Sequence, residues 1–198
     1  MNPTGGLVLL LLAVPACANA WRSRVHDHDA IGLRGLAADT LVTDRPDPRR
    51  TDRRLQGVSA SGWEVGFEHW LDAGTSAGFG LARRSYPTAA AGARSLELRT
   101  RLRESFLEEA RTQPYLEAGT VVAALDLAGT DGLSFGLGLL AGAGLRHFPS
   151  RSVALEAGAT FLALTVDPRT VEGPKGTRFR SEEELYGWEF ALQLAFLF

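Results

Sequence analysis

The stretch Trp188-Glu189-Phe190-Ala191-Leu192-Gln193-Leu194-Ala195-Phe196-Leu197-Phe198 decides the fold. Trp188, Phe190, Leu192, Leu194, Phe196 and Phe198 share one parity, whereas Gly187, Glu189, Ala191, Gln193 and Ala195 share the other. Successive side chains of a strand point to opposite faces. One face of this segment suits hydrocarbon and the other a crowded polar interior. That is the alternation of a strand in a transmembrane barrel.

Working back along the chain, six further segments alternate in the same way between turn signals. Trp63, Val65 and Phe67 alternate with Glu64, Gly66 and Glu68, and Ala77, Phe79 and Leu81 with Gly78, Gly80 and Ala82. Leu96, Leu98, Thr100 and Leu102 alternate with Glu97, Arg99, Arg101 and Arg103. Segments beginning at Leu116, Leu133 and Leu155 follow suit. Bacterial barrels have an even strand number, so an eighth strand is expected between Ile31 and Val42, where alternation is poor. Over Ser95 to Arg111, Leu98, Leu102 and Phe106 also repeat at helical spacing, but the longer alternation favours a strand. The expected fold is all-β, an eight-stranded antiparallel up-and-down transmembrane β-barrel.

Connection lengths support this arrangement. If Phe198 lies at the periplasmic end, Asp72-Ala73-Gly74 and Phe148-Pro149-Ser150 become short periplasmic turns. Thr43 to Gln56 and Asp167 to Glu183 then become long outer loops, as is usual in this class.

At the other end, Leu7 to Val14 form a short apolar run before Pro15 and the small residues Ala16-Cys17-Ala18-Asn19-Ala20. Ala18-Asn19-Ala20 fits a leader cleavage site, giving a signal peptide over 1–20 and a barrel domain over 21–198. The alternative is lipidation at Cys17, which Pro15 fits poorly. Cys17 is the only cysteine, so a chain cleaved before Trp21 has neither disulfides nor thiolate metal sites. Export and the barrel pattern place the chain in the outer membrane of a Gram-negative envelope.

The formal net charge of −2 argues against nucleic-acid binding as the main task. Lys175 is the sole lysine. Arginine holds its charge when buried and pairs bidentately with carboxylates, which suits a lumen or a lipid phosphate. A GC-rich genome accounts equally well for the bias.

The inward parity carries Glu64, Glu68, Glu97, Arg99, Arg101, Arg103, Glu117, Arg146, Glu156 and Glu189. An eight-stranded barrel is just wide enough for its own side chains to fill it. Unpaired buried charges cost several kcal/mol each, so these residues are expected to form an ion-paired plug. The alternative, a narrow ion path, needs continuous water. Carboxylates beside arginines stay ionised, which disfavours acid–base chemistry here.

Outside the lumen the signals are weaker. His26-Asp27-His28-Asp29 alternates metal-ligand types, but nothing else completes a site, and an exposed polar tail is the simpler reading. No cofactor is expected. His69-Trp70 and His147-Phe148 fall at strand ends, where aromatic residues ordinarily anchor a barrel at the membrane interface. Arg45, Arg49, Arg50, Arg53 and Arg54 crowd the first outer loop beside Asp47 and Asp52. They suit lipopolysaccharide phosphates or a solvated mixed-charge loop equally well. Phe190, Leu194, Phe196 and Phe198 are expected to form the signal read by the barrel-assembly machinery. Outer-membrane lipids are the remaining expected partners, and the chain is expected to be a monomer.

Two phrases, Pro114-Tyr115-Leu116-Glu117-Ala118-Gly119 and Ala141-Gly142-Ala143-Gly144-Leu145-Arg146-His147-Phe148-Pro149-Ser150, carry a resemblance, continued through Ser152 to Gly158. The stretch from Pro114 through Leu164 resembles small outer-membrane barrels related to the lipid A deacylases (PagL-like, acyloxyacyl hydrolase-like). The resemblance covers about a quarter of the chain closely and implies the architecture. In that family the strand after the turn ends in a His-x-Ser-Asn motif. Here Ala163 stands in place of the histidine, and Thr165 and Val166 in place of the serine and asparagine. No histidine follows His147, and a hydroxyl without a general base is a poor nucleophile. Because the chain departs from that motif, the expected function is that of a non-catalytic envelope protein in a structural or surface-interaction role. A divergent lipid A-modifying enzyme is the alternative.

Overall fold

The computed structural model describes residues 29–44, 55–86, 93–108, 110–126, 133–172 and 178–198. Among them every regular element is a strand. These are β1 (Asp29–Asp44), β2 (Leu55–Trp70), β3 (Thr75–Tyr86), β4 (Ala93–Ser105), β5 (Thr112–Asp126), β6 (Leu133–Ser150), β7 (Val153–Glu172) and β8 (Arg178–Leu197). They pair antiparallel in chain order and β1 closes on β8, so the sheet has no free edge. The seam runs from Ala30↔Leu197 to Asp44↔Glu183. Beyond it the Asp29 amide donates to the Phe198 carbonyl at 3.1 Å, and the Phe198 amide returns the bond at 3.0 Å.

β1 occupies the stretch where alternation is poor. Its outward residues include small Gly35 and Ala37, and its inward row mixes Ala30, Gly32, Arg34, Leu36 and Ala38. Hydrogen bonding to two neighbours makes it a strand where hydropathy alone is flat. β4 is likewise a strand, with Leu96, Leu98 and Leu102 turned outward and Glu97, Arg99 and Arg103 buried.

The exterior is apolar around the whole circumference. Leu33, Phe79, Leu98, Leu137, Phe161 and Phe190 are among the large side chains that point away from the lumen and stay exposed. A contiguous exposed apolar surface of this extent marks a molecule solvated by lipid.

At the end bearing Phe198 the connections are tight. In the β2–β3 turn the Asp72 carboxylate accepts from the amides of Gly74 (2.9 Å) and Thr75 (2.7 Å), an Asx turn that reverses the chain. The β4–β5 connection holds Leu107 at φ 60°, a left-handed conformation rare for a bulky residue. The β6–β7 turn differs from the sequence expectation. Strand pairing continues to Ser150↔Val153 across a bulge after His147, and Arg151-Ser152 makes the turn.

The opposite end also differs. Asp167 to Glu183 was expected as one long loop, yet Arg169↔Ser181, Thr170↔Arg180, Val171↔Phe179 and Glu172↔Arg178 pair, leaving 173–177 as the connection. The pairing slips around Pro168, which has no amide to donate. β7 and β8 are 20 residues each. At about 3.3 Å per residue and a tilt of about 40° they reach about 50 Å along the axis, well past an apolar band about 25 Å tall. Past the membrane both faces are wet, so hydropathy alternation fades while the hairpin continues.

Candidate functional site: an ion-paired lumen

Inward glycines prepare the lumen. A Cβ on Gly80 would collide with the Glu64 carboxylate, and one on Gly144 would strike the Tyr115 ring at 2.5 Å. Arg101 lies between Gly78 and Gly119 on its two neighbouring strands. Small residues beside long ones let side chains of one wall reach the other.

Six arginines (34, 84, 99, 101, 103 and 146) and six glutamates (64, 68, 97, 117, 156 and 189) meet there, so the described cluster carries no net charge. Ten of the side chains are at most 4% exposed; Arg101 and Glu68 reach 10% and 13%. Toward the loop end, Arg99 bonds Glu97 through Nη2 at 2.7 Å and forks onto Glu189 at 2.8 and 3.0 Å. Arg84 lies against Glu97 at 3.5 Å and also contacts Glu189. Toward the turn end, Arg146 bonds Glu156 at 2.7 Å and Glu68 at 2.6 Å. Arg103 reaches Glu68 and Glu117, both at 3.0 Å. Glu64 joins the two groups, held by Arg101 through Nη2 at 2.5 Å and by Arg99 at 3.4 Å.

Neutral groups complete the network. Thr160 Oγ1 donates to Glu117 at 2.7 Å, Ser95 Oγ to Glu97 at 2.7 Å, and Arg34 Nε to Gln193 at 2.9 Å. The guanidinium of Arg103 sits 4.3 Å from the Tyr115 ring centroid, and that of Arg146 sits 4.7 Å from Trp70's. Each guanidinium and each carboxylate of the cluster has at least one oppositely charged partner, as a buried charge requires. Guanidinium donors occupy the carboxylates.

Trp70 and Phe148 correct the interfacial-anchor expectation. Both are 2% exposed and turn into the lumen, where they pack with Ala30, Ala154, Ala195 and Leu197 as an apolar floor at the turn end. Their parity is that of Glu68 and Arg146, and strand geometry overrides the preference of aromatic rings for the interface. A second apolar cluster, including Val121, Leu125, Leu140, Leu164 and Leu185, lines the β5–β8 wall toward the loop end.

All ten inward charges named from the sequence enter this one network. Arg34 and Arg84 were missed. Arg84 lies two residues beyond Ala82 on the inward parity of β3, so extending that pattern would have found it; Arg34 is hidden by the flat pattern of β1. Phe190, Leu194, Phe196 and Phe198 all face outward at the β8 seam. His69 is exposed and bonds Asp29 at 2.7 Å, and His147 bonds Thr112 at 2.9 Å. Residues 1–28, with the expected leader, Cys17, His26 and His28, and the arginines Arg45, Arg49, Arg50, Arg53 and Arg54 lie outside the described residues. Ala163 and Thr165 point out from β7, whereas Val166 points in. His147 pairs with Leu155, ten residues along β7 from Thr165, or about 33 Å at strand rise.

No family model matches the chain, and no curated protein matches it in sequence. Solved structures do match. The outer membrane protein OprG from Pseudomonas aeruginosa aligns with TM-score 0.60 at 10% identity, covering 87% of this chain and 96% of that one. Neisserial surface protein A aligns with TM-score 0.53 at 16% identity over 84% and 97% of the two chains. The outer membrane enzyme PagL aligns with TM-score 0.52 at 14% identity over 82% and 97%. The likeness is one of fold: this chain has the architecture of the small eight-stranded outer-membrane barrels.

Proposed function

We propose that this chain is a non-catalytic outer-membrane barrel with a sealed lumen, serving a structural or surface-interaction role in the envelope. The observation that carries the reading is the neutral six-to-six ion-paired cluster above an apolar floor, inside a wall whose outer face carries an apolar band. A lumen filled this way supports rigidity and leaves interaction to the ends of the strands. The turn end then faces the periplasm, and the long β7–β8 hairpin projects outward.

The histidines support the non-catalytic reading. Thr165 sits near the loop end of β7, while His69 and His147 sit at the turn end. A hydroxyl about 33 Å from the nearest described imidazole on its sheet has no histidine within reach to activate it.

Mass spectrometry of lipid A from cells with and without the gene tests this. Identical lipid A profiles are expected, with the chain in outer-membrane fractions of a sucrose gradient. Loss or gain of an acyl chain that depends on the gene would replace the reading with lipid A modification. Recovery in the soluble periplasm would overturn the membrane assignment.

A further inference from the structure

The outer wall of β3 and β4 carries charge at the two edges of its apolar band. On β4 the outward row runs from Glu104 through Leu102, Thr100, Leu98 and Leu96 to Arg94. Ten residues at strand rise and a tilt of about 40° place these two charges about 25 Å apart along the axis, the height of a barrel's apolar band. Arg83 lies level with the last leucine, paired to Leu96 on β4 and to Trp63 on β2. Arg94 pairs with Ser85, so the two arginines are diagonal neighbours, about 7–8 Å apart by sheet geometry. Both are exposed, and neither forms an ion pair among the described residues. Asp126 stands opposite Arg94 on β5, leaving the patch with two positive charges and one negative. At the other edge the same strands present Glu104, which accepts from Thr75 Oγ1 at 2.9 Å.

From this geometry we infer a lipid-phosphate site on the barrel wall: Arg83 and Arg94 clamp a phosphate of the glycolipid of the outer leaflet. The inference rests on the outer-membrane reading above and names the lipid partner of that surface. A guanidinium at the rim of hydrocarbon keeps its charge and seeks an anion within reach of its stem. Two forks at this spacing straddle a phosphate with charge-assisted bonds. Trp63, 45% exposed beside Arg83, sits at the depth where an indole meets headgroups, with Leu81 and Leu98 below it for acyl chains. The reversal of sign decides which leaflet: arginines at the loop end, a glutamate at the turn end. A barrel recognising any anionic lipid would not need opposite rims. The outer leaflet's phosphorylated glycolipid is the partner that fits.

Native mass spectrometry of the full chain in phosphatidylcholine nanodiscs doped with phosphorylated lipid A tests the site. Wild type is expected to retain lipid A about tenfold better than the double variant Arg83→Gln, Arg94→Gln. Asp126→Asn should raise retention, and lipid A stripped of its phosphates should be held no better by wild type than by the double variant. All of these positions face outward, so heat-modifiable mobility should be unchanged and certifies folding. Equal retention by wild type and double variant overturns the site, as does a fall with Asp126→Asn. Phosphatidylglycerol displacing lipid A at equal dose overturns the glycolipid assignment. Fractionation separates these outcomes from failure of the outer-membrane reading, because the nanodisc measurement does not depend on where cells place the chain.

Discussion

Arg99 on β4 forks onto Glu189 on β8, Nη1 to Oε1 at 2.8 Å and Nη2 to Oε2 at 3.0 Å. Strands four apart in a closed ring of eight stand on opposite walls, so this pair crosses the lumen. It ties together parts of the sheet that share no hydrogen-bond ladder. The same guanidinium also holds Glu97 of its own strand.

Arg99→Ala should therefore be among the most costly single changes in the barrel. It strips Glu189 and Glu97 of a partner they share, and an uncompensated buried charge costs about 3–5 kcal/mol. Arg151→Ala, in an exposed turn, should stay within about 0.5 kcal/mol of wild type. Urea unfolding in detergent, followed by the gel shift of the folded form, measures both. Equal midpoints for the two variants would mean that the cross-lumen pair contributes nothing.

Gly80→Ala tests the packing that lets these chains meet. The new methyl would enter the volume of the Glu64 side chain, which Arg99 and Arg101 hold from two directions. Overpacking of this kind costs about 1–3 kcal/mol. Ala82→Gly, on the same inward row, adds no volume. A Gly80→Ala protein as stable as wild type would show that Glu64 moves freely and that the network is loose.

The last two residues should separate assembly from stability. Phe198 faces outward at 63% exposure, whereas Leu197 belongs to the floor with Trp70 and Phe148. Phe198→Ser should slow insertion in pulse-chase experiments and barely move the unfolding midpoint. Leu197→Ser should insert at nearly the normal rate, lower the midpoint and reduce the unfolding free energy by about 2–4 kcal/mol, the scale of a lost buried leucine. Indistinguishable behaviour of the two variants on both readouts would reject the assignment of faces.

Planar-bilayer recordings should show no steady conductance for wild type, as expected of a lumen filled by ion-paired side chains above an apolar floor. Trp70→Ala removes the ring on which Arg146 rests and opens the floor, but the ion-paired layers above it should still block current. Steady wild-type current that changes with Arg101→Ala would convert the reading from plug to channel.

Parity along a strand is a local property, and the sequence by itself determined whatever depends on it. The alternation of β2 to β8 specified strands, the outward leucines and phenylalanines specified lipid, and Glu97, Arg99, Arg101 and Arg103 were legible as lumen residues. Even Trp70 and Phe148 carried the inward parity, although the habit of aromatic residues at interfaces pointed the other way. Tertiary structure alone decided which carboxylate meets which arginine. That choice depends on the stagger between strands and on closure of the ring, and both are fixed only when β1 pairs with β8. Arg34 and Arg84 joined the cluster for the same reason: a flat stretch of sequence and a strand end acquire a face only once their neighbours are hydrogen-bonded to them.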